Sequence, residues 1–313
     1  MSSGPLVSIA LCTYNGAAYL AQQLDTLVAQ TYKNIEIVAV DDCSADDTYT
    51  ILQDYAARYP QFKIYQNEAN LGFTKNFERA ATLCTGELIA LCDQDDVWLS
   101  EKIELQVNAI KDNVFIYHDS EFIHEDGTPM NKKVSDVMNL YRGGQPEVFL
   151  FFNCVSGHTI LMKRELLAEA LPLKETYFHD WWLAYVATNM GTIDFIPQCL
   201  VKYRQHDNSD TNMLRVKRDK EVHKHSSLQK LERIQTWLGY CAAYPKNKNG
   251  IARLFYEAFT NRMGSYVSFS LSRLLLKYQR TVFFIRKKSK LNRANYIYSQ
   301  VWGGKMKKLL SER

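Results

Sequence analysis

Short apolar runs alternate with amphipathic stretches through the first third of the chain. Val7–Cys12 is rich in β-branched residues and ends in Thr13-Tyr14-Asn15-Gly16, the pattern of a strand running into a turn. Over Ala17–Gln30, Tyr19, Leu20, Leu24, Leu27 and Val28 recur near helical spacing. A second apolar run, Ile35–Val40, leads into Asp41-Asp42-Cys43-Ser44, and helix signals follow from about Asp46 to Tyr59, closed by Pro60. Phe62–Tyr65 reads as a third strand, Asn70-Leu71-Gly72 as a turn, and about Thr74–Leu83 as a helix that Gly86 ends. Leu88–Cys92 is then a buried-strand pattern. This alternation predicts a parallel sheet wrapped by helices.

In such sheets ligands gather at the carboxyl ends of the strands. Here those ends carry Thr13-Tyr14-Asn15, Asp41-Asp42 and the acidic run Asp93-Gln94-Asp95-Asp96. If the extended conformation persists past Cys92, Asp93 and Asp95 share one face and Asp96 takes the other. Same-face carboxylates raise each other's pKa unless a positive charge lies between them. A hard divalent cation, Mg2+ or Mn2+, resolves that repulsion and commonly completes its shell with substrate phosphates. The plainer reading is an acidic turn capping the next helix, expected over Ser100–Ile110. Neither a P-loop nor a G-x-G-x-x-G follows the first strand, and no glycine-rich, arginine-containing loop suits a nucleotidyltransferase. Phosphate handling therefore falls to a metal.

Composition narrows the class. The chain has 313 residues, 46% hydrophobic and 23% charged, as in an ordinary globular protein with room for one large domain and an appendage. Seven scattered cysteines without a C-x-x-C pair indicate reduced thiols rather than a disulfide framework or zinc site. The start, MSSGPLVSIALC, lacks the features of a signal peptide, and no apolar run approaches the roughly 20 residues of a membrane span. A cytoplasmic protein is expected. Net charge is +4, yet residues 211–313 alone carry +18 and residues 1–210 carry −14. The split suggests two regions, a body over 1–210 and a basic helical region over 211–313.

The segments VSIALCTYNG, VAVDDCSADDT and NLGFTKNFERAATLCTGELIALCDQDDVW resemble family 2 glycosyltransferases of the GT-A fold. DQDDVW, FHDWWLA and YRQHDNS are most similar to the rhamnosyltransferase-like bacterial branch. The resemblance covers about Val7–Asn208. It implies a Rossmann-like mixed α/β sheet flanked by helices, with the C-terminal helices as an appendage. It also implies that Thr13, Tyr14 and Asn15 cradle the nucleotide and that Asp42 bonds the base. Asp93, Asp95 and Asp96 would supply metal and ribose contacts, with Asp93 and Asp95 on the nucleotide sugar and Asp95 and Asp96 on the metal. Cys43 stands where the family usually has glycine.

Further along, Phe115–His118 reads as a strand, Glu121–Met130 with Asp126-Gly127 as a hairpin, and Asn131–Pro146 as a mobile polar loop near the site. His118 and His124 read as structural or surface residues. Ser156-Gly157-His158-Thr159 precedes a helix over Lys163–Ala170, and the resemblance sets a similar stretch beside the donor sugar, so His158 is either a substrate contact or a buried structural residue. Asp180, in Phe178-His179-Asp180-Trp181-Trp182, opens a helix through Met190, where a carboxylate is favoured by capping alone. The resemblance instead makes Asp180 the catalytic base that takes the acceptor proton in an inverting transfer. Trp181 and Trp182 are candidates for the acceptor wall, with at least one in the core. Two strands, Thr192–Ile196 and Cys199–Tyr203, lead to Arg204 and His206. By resemblance His206 is a metal ligand, and Arg204 either neutralises the diphosphate or pairs with a carboxylate.

Met213–Tyr240 and Ala252–Arg286 read as helices. Leu271, Leu274, Leu275, Tyr278, Val282, Phe283 and Ile285 form an apolar stripe beside basic residues, the pattern of a helix lying on an anionic membrane surface or, alternatively, of a helix packed on the body with its basic face solvated. Nucleic acid is not an expected partner. The expectation is a metal-dependent, inverting glycosyltransferase held peripherally on the inner face of the membrane. By the resemblance, its donor is dTDP-L-rhamnose, or alternatively UDP-glucose or UDP-galactose, and its acceptor a lipid-linked surface polysaccharide. A non-catalytic nucleotide-sugar-binding scaffold is the reading from another class.

Overall fold

A computed structural model describes residues 4–206, 227–287 and 289–306. Among the described residues nine strands form one sheet: β1 (Val7–Thr13), β2 (Ile35–Asp41), β3 (Phe62–Gln66), β4 (Leu88–Cys92), β5 (Val97–Trp98), β6 (Phe115–Ile123), β7 (Pro129–Lys133), β8 (Leu161–Lys163) and β9 (Ile193–Arg204). Their order is β3-β2-β1-β4-β8-β6-β9-β5, with β7 on β6. The first four strands run parallel, whereas β8 lies antiparallel to both β4 and β6. The mixed GT-A-type sheet is therefore present, and the purely parallel expectation holds only for its first half.

Strands β1, β2 and β4 are covered on both faces, which explains their continuous apolar runs. Alternate residues serve different cores. Val7, Ile9 and Leu11 join Ile37, Ala39, Leu20, Leu24 and Leu52 on one side, while Ala10 and Cys12 join Val38, Val40, Phe77 and Ala80 on the other. The register Thr13↔Asp41 and Leu11↔Cys92 brings the polar ends of three strands to one edge. Because β8 runs against β4, with Ala90 opposite Leu161, the residues just before β8 also arrive at that edge.

Three expectations are corrected. The two strands predicted over Thr192–Tyr203 are one strand, β9, whose pairing with β6 shifts register twice opposite Asp119. Asn131–Pro146 is not a free loop. It contains most of β7 and a helical turn at Val134–Val137, and Gly143 exchanges two backbone hydrogen bonds with Ile193. The predicted helix Ala252–Arg286 is three helices, Ile251–Met263, Ser270–Lys277 and Gln279–Val282. Its chain breaks at 264–269, where Tyr266 and Ser268 pair with Gly303 and Val301.

The apolar stripe of that region faces inward. Leu271, Leu275, Val282, Phe283 and Ile285 are buried in the same core as Tyr117, Phe149 and Trp182, together with Trp237 and Phe255 from the preceding helices. Protein, not lipid, covers this stripe. The first part of the predicted helix Met213–Tyr240 and the 210/211 boundary lie outside the described residues, whose helix here spans Ser227–Ala243. No helix among the described residues is long and apolar enough to cross a membrane.

Candidate active site

At the shared strand edge lies a cleft of about 1280 Å3 lined by residues of the sheet, of the loop 151–158, of the helix His179–Met190 and of the C-terminal segment. Thr13, Tyr14, Asn15, Asp42, Asp93, Asp95, His158, Asp180, Trp181 and His206 all line it. Asp96, Arg204 and Trp182 do not.

The end of the cleft at the strand edge is held by backbone-directed bonds. Tyr14 is locked by a reciprocal pair: its N–H donates to Gln94 Oε1 at 2.8 Å, and Gln94 Nε2 donates to its carbonyl at 3.0 Å. Asn15 takes a positive φ of 46° so that its Oδ1 accepts from Ala45 N–H at 2.8 Å. Asp42 accepts from the N–H groups of Leu71 and Gly72 at 2.8 and 2.9 Å, which fixes its carboxylate at the mouth of β2. The next residue, Cys43, has φ of 63°, a left-handed conformation that glycine adopts without strain. The backbone thus keeps the turn that the family builds with glycine.

Past Cys92 the strand does not continue. Residues 93–96 form a turn before β5, and the turn groups Asp93 with Asp96, three positions apart, rather than with Asp95. His158 Nδ1 lies 3.4 Å from Asp96 Oδ2 and 3.6 Å from Asp93 Oδ2, while its Nε2 is bonded to Ser120 Oγ at 2.9 Å. Asp95 turns instead to His206, with its Oδ2 2.7 Å from His206 Nε2, and Tyr19 stacks on that imidazole. The ligand set anticipated from sequence, Asp95, Asp96 and His206, is thereby divided between two neighbouring clusters.

The Asp93–Asp96–His158 cluster has the chemistry to hold a divalent cation. Asp96 Oδ2 is buried without a hydrogen-bond partner. Burial first, and then the Asp95 and Asp93 carboxylates, push the Asp96 pKa well above the usual carboxylate range. A cation among two carboxylates and an imidazole nitrogen satisfies the orphaned oxygen and relieves the repulsion. Beneath the turn, Lys102 is fully buried with Nζ over the Trp98 ring, and burial pulls its pKa down to about 7.

Asp180 is the second residue of its helix, and the helix N-cap is Phe178, so its carboxylate is not a capping group. Asn153 Nδ2 donates to Asp180 Oδ1 at 3.1 Å, and Asn153 is itself braced on Val155. The N–H groups of Trp181 and Gly157 also face this carboxylate, but burial outweighs them and raises its pKa to about 7. Gly157 is needed for a close approach, because a Cβ there would meet His179 Nε2 at 2.9 Å. His179 was not singled out by sequence. It lines the cleft with both ring nitrogens unpartnered, packs on Phe77, and burial lowers its pKa to about 4.

Two expected cleft residues have other work. Arg204 is buried and its guanidinium donates to the carbonyls of Asp95 and Glu125 and to Gln22, so it braces the acidic turn from behind rather than facing a diphosphate. Trp182 is in the core, donating to Ala170 O at 2.7 Å, whereas Trp181 reaches the cleft.

Comparison with known proteins agrees with this architecture. The family model for glycosyl transferase family 2 matches residues 8–171, more than half of the chain. An uncharacterized glycosyltransferase of Haemophilus influenzae is 26% identical over 227 residues, covering 68% of this chain and 69% of its own. One of Rickettsia typhi is 31% identical over 66% of each chain, and uncharacterized mycobacterial relatives are covered over only 59% of their length. Among solved structures, Staphylococcus aureus TarS 1-349 in complex with UDP-GlcNAc superposes with a TM-score of 0.59 at 16% identity, covering 94% of this chain and 88% of that one. The Pyrobaculum calidifontis mannosyltransferase PcManGT, in complex with GDP-Man and Mn2+, gives 0.50 at 15% identity, over 95% and 80%. A GT-A-type sheet with its acidic turn at the strand edge, matched by the family model over its first eight strands, makes this chain an enzyme of glycosyl transferase family 2.

Proposed function

We propose that this glycosyltransferase performs a metal-dependent, inverting transfer of a hexose from a nucleoside-diphosphate donor to an acceptor hydroxyl. The observation that carries the reading is Asp180, a carboxyl group poised near neutrality in the same cleft as the Asp93–Asp96–His158 cluster. Such a pKa lets one group both hold and release a proton at working pH. Asp180 takes the proton of the acceptor hydroxyl as that oxygen bonds to the anomeric carbon and the nucleoside diphosphate leaves. Asn153 orients the carboxylate, and Tyr14, Asn15 and Asp42 hold the nucleotide. Asp93, Asp96 and His158 would hold a divalent cation, which when bound neutralises the diphosphate leaving group.

The likeness of DQDDVW, FHDWWLA and YRQHDNS to the rhamnosyl branch favours dTDP-L-rhamnose, with a lipid-linked surface polysaccharide as acceptor. A UDP-hexose is the second reading, favoured by the bound UDP-GlcNAc of TarS. Location at an anionic membrane is supported by the +18 charge of residues 211–313. The test is calorimetric titration with a panel of nucleoside-diphosphate sugars, with and without Mn2+. Metal-dependent binding of one donor is expected, and a protein that binds none is not the transferase proposed.

A further inference from the structure

The cleft has a second, oppositely charged end. Lys132 from β7 and Arg286 and Lys287 from the C-terminal segment line it, and beside them lie the half-buried rings of Phe151 and Phe152. We infer that this end is an acceptor subsite for a phosphate group carried next to the sugar that receives the transfer. The inference rests on the transferase reading and deepens it.

Four observations converge. First, two of the three cations are held in place. Arg286 pairs by backbone with Met138 and lays its guanidinium over Phe152 at 4.9 Å, and Lys287 Nζ donates to the carbonyl of Ser135. A solvated basic face needs no such anchoring. Second, the segment that carries them is stapled to the body: Asn139 N–H donates to Ile285 O at 2.9 Å and Asn139 Nδ2 to Phe284 O at 2.8 Å. The C-terminal region therefore supplies a wall of the cleft. Third, Lys132 and Lys287 have no carboxylate partner within ion-pair distance among the described residues, so their charge is available to a ligand. Fourth, the platform connects to the base. Phe152 carries Arg286, and its neighbour Asn153 donates to Asp180.

The chemistry follows from charge and shape. Asp42, Asp93 and Asp95 line the donor end, where an acceptor phosphate would be repelled without a cation. Arg286 offers a planar fork and the lysines offer point charges, the usual means of binding a phosphate. Aromatic faces beside them suit the apolar face of a sugar ring. Such a phosphate has two sources, a lipid diphosphate to which the acceptor sugar is linked or a phosphodiester within a soluble polymer.

The experiment uses the full chain, with donor and Mn2+ present, and two probes: glycerol 3-phosphate in solution, and phosphatidylcholine vesicles doped with farnesyl diphosphate against undoped vesicles. Saturable binding of at least one probe is expected, weakened about tenfold in the double variant Arg286→Gln/Lys287→Gln, with donor affinity unchanged. Loss of the soluble probe alone identifies a polymer phosphate, and loss of the doped vesicles alone a lipid one. Lys132→Gln, on an exposed strand, repeats the test if the double variant does not fold. Binding of neither probe, equal binding by wild type and variants, or a matching loss of donor affinity overturns the inference. Failure of the wild type to bind any donor would instead strike the transferase reading.

Discussion

The two ends of the cleft are built by different means. The acidic end is made by neighbouring strand ends in the parallel half of the sheet, and its groups are fixed by backbone bonds: Asp42 by Leu71 and Gly72, Tyr14 by Gln94. The far end is made by a hairpin strand and a segment from the C-terminal third, and two of its three cations are exposed. The first is acidic and fixed within its own sheet, the second basic and anchored to a strap from far back in the chain. On the proposed function, the first end takes the donor nucleotide and the second the acceptor.

The sharpest break lies at Asp180, between the two ends. Asp180→Asn is expected to lower turnover by on the order of 10²–10⁴-fold while leaving the donor dissociation constant within about twofold. Nucleotide release and calorimetry report the two quantities. An equal loss of both would remove Asp180 from the role of base. At the acidic end, His158→Ala should weaken Mn2+ binding by at least about tenfold and His206→Ala by much less, measured by titrating metal into the chelated protein. The reverse order would return the metal to Asp95 and His206.

The pH profile tests the same junction. The base role proposed for Asp180 requires the carboxylate, so on that reading turnover should rise as pH climbs through about 7. Loss of the Asn153 hydrogen bond, which favours the charged form, should move that limb to higher pH in Asn153→Ala. Stability runs the other way. A carboxyl whose folded pKa is raised from 3.8 contributes stability fully below that value and loses it as pH rises through about 7. Asp180→Asn should therefore raise the melting temperature more at pH 8 than at pH 5. The smallest expected effect is at Cys43: its φ of 63° strains an ordinary residue. Relief of that strain in Cys43→Gly, less the entropy that glycine loses, should stabilise by about 0.5 kcal/mol, read as a rise in melting temperature of about 1–2 °C.

The acidic half is legible because its information is local. Val7–Cys12, Ile35–Val40 and Leu88–Cys92 are apolar runs buried on both faces, and each ends in the polar residues that the sheet delivers to one edge. One step of the acidic turn is not legible in its own segment. An extended continuation pairs Asp93 with Asp95, but β5 must turn away to meet β9, and the turn pairs Asp93 with Asp96. His158 is brought to that pair by the antiparallel placement of β8, which no spacing in its own segment encodes. The C-terminal stripe was correctly apolar, yet periodicity states which face is apolar and not what covers it. Here Tyr117, Phe149 and Trp182 are part of what covers it. The same holds for Arg286, whose place in the cleft depends on pairing with Met138 far back in the chain.

Asn139 and Phe284 are 145 positions apart, so the bond between them joins an early strap to a late one. During synthesis the acidic turn, Asp42 and Asp180 all emerge before residues 284–287. An incomplete chain thus carries the acidic end of its cleft without the basic wall. A stop before residue 284 would also remove Ile285 from the core it shares with Tyr117, Phe149 and Trp182, so the wall of the cleft and the packing of the body are lost together.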